Sequence, residues 1–435
     1  MVQAVSQTAP RAATGASWLA VWVCFVINML DGFDILAMAF TAPLIELEWG
    51  LAPTELGLLF SAGLAGMVVG SLSLSPIADT IGRRAVLLLC LGIVTAGMML
   101  SAFATELMQL VGLRFLTGLG IGGLLSGLNT VAAEYAPAHQ RKFAIGLVTA
   151  SYSLGATLGG FASIRLIAEF GWHAVFMFGG ILSLIMIPIV YFALPESLAF
   201  LLSGKPKNAL ARVNMVMAAT GRPALAALPA QKAGAKPSLF DIFKPDMRVG
   251  TALICATYFM NMMTFYFVLS WTPRVIVSMG QTPNVGILAS TYMNLAGFLG
   301  GVLLGVWANR FPVGRATSVF MVLMYATMIL FSNLPANIPV LLAVSALLGF
   351  FMIGTMSGLY TIVAVVFPTH VRATGTGVAI GIGRLGAVVG PYVGGMLIEA
   401  NWSRPVSWAV LGIPALAAAV LATQAAKRER AIEAI

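Results

Sequence analysis

Two carboxylates, Asp31 and Asp34, lie near the middle of an apolar run from about Ser17 to Leu44. A run of that length crosses a bilayer as a helix. A charge at the centre of such a helix costs at least ~2.5–3.5 kcal/mol on insertion scales. Residues three apart share a helical face, so both acids project the same way. Carboxylates placed like this suit proton exchange along a water-accessible path. The plainer alternative is a polar helix-packing contact with a fixed cationic partner. Gly32, between them, leaves room for a close backbone neighbour or a local break.

Two arginines have the complementary setting. Arg114 lies about eight residues from the nearer end of its apolar run, roughly 12 Å deep at ~1.5 Å per residue. Asp34 lies at a matching depth, and opposite charges at one depth can pair. Arginine does not release a proton near neutral pH. Arg114 therefore tunes or swaps with an aspartate, or closes a purely structural bridge to it. Arg384 stands near mid-depth in another run, among Gly375, Gly377, Gly381, Gly383 and Gly386. The apolar runs of the second half contain no acid to neutralise it. A guanidinium holds a carboxylate through two parallel hydrogen bonds, so Arg384 is the expected receptor for an anionic substrate. A cross-half salt bridge to Asp31 or Asp34 is the alternative.

Phe33, Tyr152, Phe265, Tyr266, Tyr360 and Tyr392 can wall a planar ring, although aromatic residues at helical spacing serve packing just as well. Asn28, Asn129, Asn261 and Asn294 are in-span polar groups able to bond a ring hydroxyl. His139, His370 and His173 read as ordinary loop histidines. Gly118-x-Gly120-x-x-Gly123 formally matches a dinucleotide fingerprint, but it sits in an apolar span with no preceding strand. Cys24, Cys90 and Cys255 lie in apolar runs without metal-ligand spacing. No nucleophile–base or metal-ligand set is visible. The expectation is neither an enzyme nor a metalloprotein, with protons in place of a cofactor.

The elements that position these groups follow from composition. The 435 residues have a mean hydropathy of +0.95 and only 9% charged residues, too few to cover a soluble surface. Twelve apolar runs of spanning length occur, at about 17–44, 56–78, 85–104, 108–131, 143–167, 173–194, 250–272, 284–308, 316–334, 338–362, 373–398 and 405–426. The first reads as a retained helix, not a cleaved signal. A polar, Lys/Arg-rich stretch at 195–249 separates two sets of six, with Leu198–Ala219 mildly amphipathic. The expected fold is all-α: a six-helix bundle at 1–194, a linker at 195–249 and a six-helix bundle at 250–435. Most of the 24 Lys and Arg fall on the linker side, which places both termini in the cytoplasm. The net charge of +9 is thus membrane topology and not nucleic-acid binding.

The halves also repeat in sequence. Pro137-Ala138-His139-Gln140-Arg141 with Gly146 matches Pro368-Thr369-His370-Val371-Arg372 with Gly377 at a constant offset. A weaker echo links Asp79-Thr80-Ile81-Gly82-Arg83-Arg84 to the stretch from Asn309 to Arg315. Parallel halves of this kind flank a site near the midplane and rock around it. In the first copy Gly82 permits a tight reversal. Asp79 can bond nearby arginines as a charged latch, whereas Arg83 and Arg84 also serve as plain anchors.

These pieces resemble the major facilitator superfamily. Gly70…Asp79-x-x-Gly82-Arg83-Arg84 is similar to its loop 2–3 signature. Arg114…Gly118-x-Gly120-x-Gly122 is similar to its fourth-span motif, and Glu134-x-x-Pro137-x-x-x-Arg141 to its loop 4–5 signature. Within it, Asp31-Gly32-Phe33-Asp34 and the run from Arg372 to Arg384 resemble the aromatic acid:proton symporters. Asn309, where many members keep Asp, is a departure, and the fifth span lacks the Gly-Pro pair usual in antiporters. The resemblance implies a multi-pass inner-membrane symporter, functional as a monomer, that imports a benzoate-, hydroxybenzoate- or protocatechuate-like anion with protons. Asp31, Asp34 and Arg114 would couple protons, and Arg384 with the aromatic residues, Asn261 and Asn294 would bind substrate. Asp79, Gly82, Arg83, Arg84, Glu134, Arg141 and Arg372 would gate. The rivals are an importer of another small organic acid, a proton/drug antiporter and a transporter-like sensor signalling through 195–249.

Overall fold

In a bilayer core no water satisfies backbone groups, so a spanning segment must be a helix or part of a closed barrel. The chain takes the first solution. The computed structural model describes residues 15–136, 140–202, 208–219, 223–228, 239–245, 247–308, 310–368 and 371–433. Among them, twelve helices are long and apolar enough to cross a membrane, and none of the described residues forms a strand. The first six are α1 (Gly15–Trp49), α2 (Pro53–Ile81), α3 (Arg83–Ser101), α4 (Leu107–Tyr135), α5 (Arg141–Phe170) and α6 (His173–Ala193). Two short helices follow, α7 (Leu198–Leu202) and α8 (Ala209–Ala219), where the amphipathic stretch predicts surface helices. The second six are α9 (Arg248–Ser278), α10 (Pro283–Trp307), α11 (Val313–Ser332), α12 (Ile338–Val366), α13 (Arg372–Glu399) and α14 (Arg404–Glu433). The seventh span thus runs six residues past its expected end at 272, because its last turns carry Arg274 to a partner on α1.

Packing repeats between the two sets of six. Helix α1 lies against α5 as α9 lies against α13, α2 against α4 as α10 against α12, and α3 against α6 as α11 against α14. Without a hydrophobic driving force in lipid, such pairs depend on small residues that let backbones meet. A β-carbon on Gly32 would stand 2.1 Å from the Tyr152 carbonyl oxygen, and one on Gly155 1.7 Å from that of Met29. Across the second pair, Gly386 and Gly390 press on the carbonyls of Phe259 and Met263. Gly386 and Gly390 are therefore consumed by helix contact. Gly377 and Gly381 meet nothing within 4 Å. They lie seven and three residues before Arg384, on its own helical face.

The two sets meet along one side only. Helix α2 crosses α13 antiparallel, with Gly395 on Pro53, Gly57 on Pro391 and Tyr392, and the Ser61 hydroxyl donating to the Val388 carbonyl at 2.7 Å. The deepest contact is Arg384 Nη1 donating to the Met67 carbonyl at 3.3 Å. Gly160 on α5 packs against the Thr291 side chain on α10. Arg274 on α9 holds Glu46 on α1 through Nε at 3.0 Å and Nη2 at 2.7 Å. All these contacts lie between mid-helix and the ends remote from the linker. On the linker side Gly377 and Gly381 face open space, and Tyr360, deep within the protein, is still 47% exposed. The result is a cleft closed at the far end and open toward the linker.

Gly155→Ala should force α1 and α5 apart, costing about 1–3 kcal/mol by overpacking. Gly377→Ala adds a methyl to open space. Thermal melting in detergent should show a lowered melting temperature for the first and none for the second.

Candidate functional site

Helices α1, α5, α9, α12 and α13 bring five groups of the predicted set together where the seam ends and the cleft begins. Asp31 and Tyr266 lie within electrostatic reach of Arg384 and of Tyr152, and Tyr360 within reach of Arg384, Tyr152 and Tyr266. Asp31 is 2% exposed, and neither carboxylate oxygen has a hydrogen-bond partner among the described residues. Arg384 is half-buried and forms no ion pair within 4 Å among the described residues; its described hydrogen bond is to the Met67 carbonyl. A backbone carbonyl is a neutral acceptor. Anionic oxygens make shorter bonds to guanidinium, roughly twice as strong. Arg384 therefore rests on an acceptor that a carboxylate outcompetes.

Asp34 and Arg114 form the second element. The expected ion pair between them is not made. Both side chains border one cavity of about 40 Å³, shared with Thr117, Tyr266 and Ser270. That volume takes one to three waters and falls well short of the ~150 Å³ that holds a benzene ring. It is proton-sized and water-sized, not substrate-sized. Arg114 is 4% exposed and donates through Nη2 to Ser101 Oγ at 2.9 Å, Thr117 Oγ1 at 3.1 Å and Met98 Sδ at 3.1 Å. Its guanidinium carbon lies 4.6 Å from the centre of the Phe176 ring. Neutral acceptors on Nη2 and a ring face hold this cation with no counter-charge in bonding distance, while its buried Nε has no partner among the described residues. The pair stands open with the guanidinium only partly satisfied.

The remaining candidates fall elsewhere. Phe33 is buried between Gly159 and Gly179 with its ring edge-on to Phe178, and Phe265 is 8% exposed beside Tyr266. Tyr392 contributes to the α2–α13 seam through its backbone. Asn28 is bonded to the Val148 carbonyl and Ser151, and Asn294 to the Ser290 carbonyl of its own helix. Asn261 is fully buried, donates only to Met356 Sδ at 3.5 Å, and leaves its carbonyl oxygen without a partner. The side chain of Asn129 lies outside the described residues, as do His139, Asn309, His370 and the side chain of Asp79.

Of the gating residues, Gly82, Arg83, Arg84 and Glu134 gather in a network among the first six helices, α7 and the turn before it. Gly82, at φ +102, turns α2 into α3 with no intervening loop, a backbone state open to few other residues. The Glu196 carboxylate accepts from the amides of Arg83 at 2.8 Å, Arg84 at 3.2 Å and Ser197 at 2.8 Å, and so caps α3. Glu134 accepts from Ser197 Oγ at 2.8 Å and the Leu198 amide at 3.0 Å, and faces Arg83 at 3.9 Å. Arg84 donates to the Tyr191 carbonyl and lies over that ring. None of these described ties reaches α9–α14, so among the described residues the network braces the first half. Arg141 is exposed at the start of α5, and Arg372 bonds the Phe367 carbonyl at the end of α12.

Three features escaped sequence reading: the Glu196 cap, the Glu46–Arg274 bridge and the buried Tyr258 hydroxyl. Glu196 was visible as an acid directly after the sixth span. The bridge joins residues of opposite halves, and no local spacing marks it.

The profile of the Major Facilitator Superfamily matches residues 21–329 and 254–432. The chain is 34% identical over 412 residues to a 4-hydroxybenzoate transporter of Acinetobacter baylyi, covering 93% of this chain and 90% of that one. It is 32% identical to a gallate transporter of Pseudomonas putida, covering 94% and 92%. Its fold matches the xylose transporter of E. coli in a partially occluded inward-open state, with TM-score 0.73, 17% identity, and coverage of 94% and 97%.

Glu46→Gln should loosen the far-end seam by about 1 kcal/mol, the upper range for a solvent-touched pair. A cysteine at Ser61 should then react roughly five-fold faster with an impermeant maleimide added opposite the linker. An unchanged labelling rate would show that the bridge does not hold the seam.

Proposed function

Because the chain belongs to the Major Facilitator Superfamily and is a multi-pass membrane transporter, not an enzyme, we propose that it imports a small aromatic carboxylate together with protons. The relatives named for 4-hydroxybenzoate and gallate support the substrate class. The observation that carries the reading is Arg384: a cleft-wall guanidinium with no ion-pair partner among the described residues, within electrostatic reach of Tyr266, Tyr360 and Asp31. The cation takes the carboxylate, and the phenol rings of Tyr152, Tyr266 and Tyr360 line the space for an aromatic body.

The Lys/Arg distribution sets the linker and both termini in the cytoplasm of the cell that carries the protein in its inner membrane. The cleft of this conformation then opens inward and its seam seals the outside. In the outward-open state Asp31, Asp34 or both take a proton from outside. The substrate anion then reaches Arg384 and displaces the Met67 carbonyl. Neutralised aspartates and a neutralised arginine lower the cost of burying the site while the halves rock. A carrier with only one of its two loads keeps an uncompensated charge at the midplane, and its rocking is disfavoured. That difference ties the two fluxes together. Arg114 stays on its neutral acceptors when Asp34 holds a proton, and turns to Asp34 across the small cavity when it does not. All these groups come from one chain, so a monomer is sufficient.

Proteoliposomes with an imposed inward proton gradient test this with labelled benzoates. Asp31→Asn and Asp34→Asn should insert and fold yet fail to accumulate substrate above equilibrium. Full accumulation by both variants would end the coupling role. Arg384→Ala should raise KM by roughly 10- to 100-fold, the worth of a charged hydrogen bond of about 1.5–3 kcal/mol. An unchanged KM would move the anion site elsewhere.

A further inference from the structure

Asn261 is a buried amide with almost none of its hydrogen bonding spent. It lies on α9 at 0% exposure. Its amide nitrogen contacts Met356 Sδ at 3.5 Å, a weak acceptor, and its oxygen has no partner among the described residues. Exchanging the amide's nitrogen and oxygen leaves one end orphaned either way. One turn before it, the buried Tyr258 hydroxyl is also unpartnered. The other in-span asparagines with described side chains, Asn28 and Asn294, are both bonded to backbone carbonyls. Two orphaned polar groups on one face of a packed helix are destabilising, which suggests a partner arriving from outside the protein.

The site from which that partner would come adjoins them. Met356, partly exposed, and Tyr360, 47% exposed, lie four residues apart on α12 and share a face. The Tyr258 and Tyr360 rings are 6.4 Å apart, and Tyr258 packs on Gly383, the chain neighbour of Arg384. Met356, which touches Asn261, thus shares a helix face with a residue that borders the open space. Methionine, unbranched and flexible, is the residue type that yields such a position readily.

We infer that Asn261, screened by Met356, receives a ring hydroxyl of the substrate whose carboxylate Arg384 holds. A phenolic hydroxyl both donates and accepts, which matches an amide offering one of each. A carboxylate can only accept. Tyr258 supplies a further donor beside it. The carrier therefore selects hydroxylated over unsubstituted aromatic acids. This inference rests on the aromatic-carboxylate reading and narrows it.

The test is uptake of labelled 4-hydroxybenzoate, 3-hydroxybenzoate and benzoate by proteoliposomes under one pH gradient. Wild type should favour one hydroxybenzoate over benzoate by about ten-fold or more in apparent affinity, and Asn261→Leu should bring that ratio to within about two-fold. The leucine variant should melt no lower than wild type, since an apolar replacement removes the orphaned amide. Asn261→Ala, which needs no added volume, reads the same ratio if the leucine variant fails to fold. A wild type that does not distinguish the three acids overturns the inference, as does an unchanged ratio in the variant. So does a lowered melting temperature with parallel loss for all three. A wild type that transports none of them overturns the parent reading, and this one with it.

Discussion

Charge inside an apolar slab is the constraint on which everything else turns. Asp31, Asp34 and Arg114 are each at most 4% exposed, and Arg384 is half-buried. In most buried sites such groups would close into ion pairs, because an uncompensated ion in a low-dielectric interior is expensive. Here Arg114 rests on two hydroxyls, a thioether and a ring face, and Arg384 on a helix carbonyl. A locked pair would be stable and inert. Charges held on weaker, neutral partners can be exchanged for better ones.

The packing serves that arrangement. The glycines at the α1–α5 contact bring the carboxylate-bearing face of α1 against α5, and those at the α9–α13 contact set Arg384 beside α9. These contacts join helices within each set of six. Between the sets the described contacts include one two-pronged ion pair, the bonds of Ser61, Arg384 and Thr54, one ring pair and a line of small residues. Tight packing inside each half and a shallow seam between them suit motion of each half as a body.

The fold was legible in the sequence because apolar length and Lys/Arg asymmetry are local signals. The repeated loop motifs added the two-half arrangement, which the paired contacts of the structure reproduce. Asp31, Arg114 and Arg384 stood out because a charge within an apolar run is conspicuous. Which aromatic residues gather at the site was not legible. Tyr266 and Tyr360 reach Arg384 and Tyr152 reaches Asp31, whereas Phe33 and Phe265 are packed away, and helical spacing does not separate the two groups. The open Asp34–Arg114 pair was hidden for another reason: it depends on Ser101, Met98 and Phe176, drawn from neighbouring helices.

The α2–α13 crossing ends at Arg384, with sealed contacts on one side and divergent helices on the other. Such an end point has the geometry of a fulcrum. Were two rigid arms to tilt about it, their tips would sweep farthest and the pivot would scarcely shift. A side chain placed there, as Arg384 is, would keep its bearings whatever the tilt.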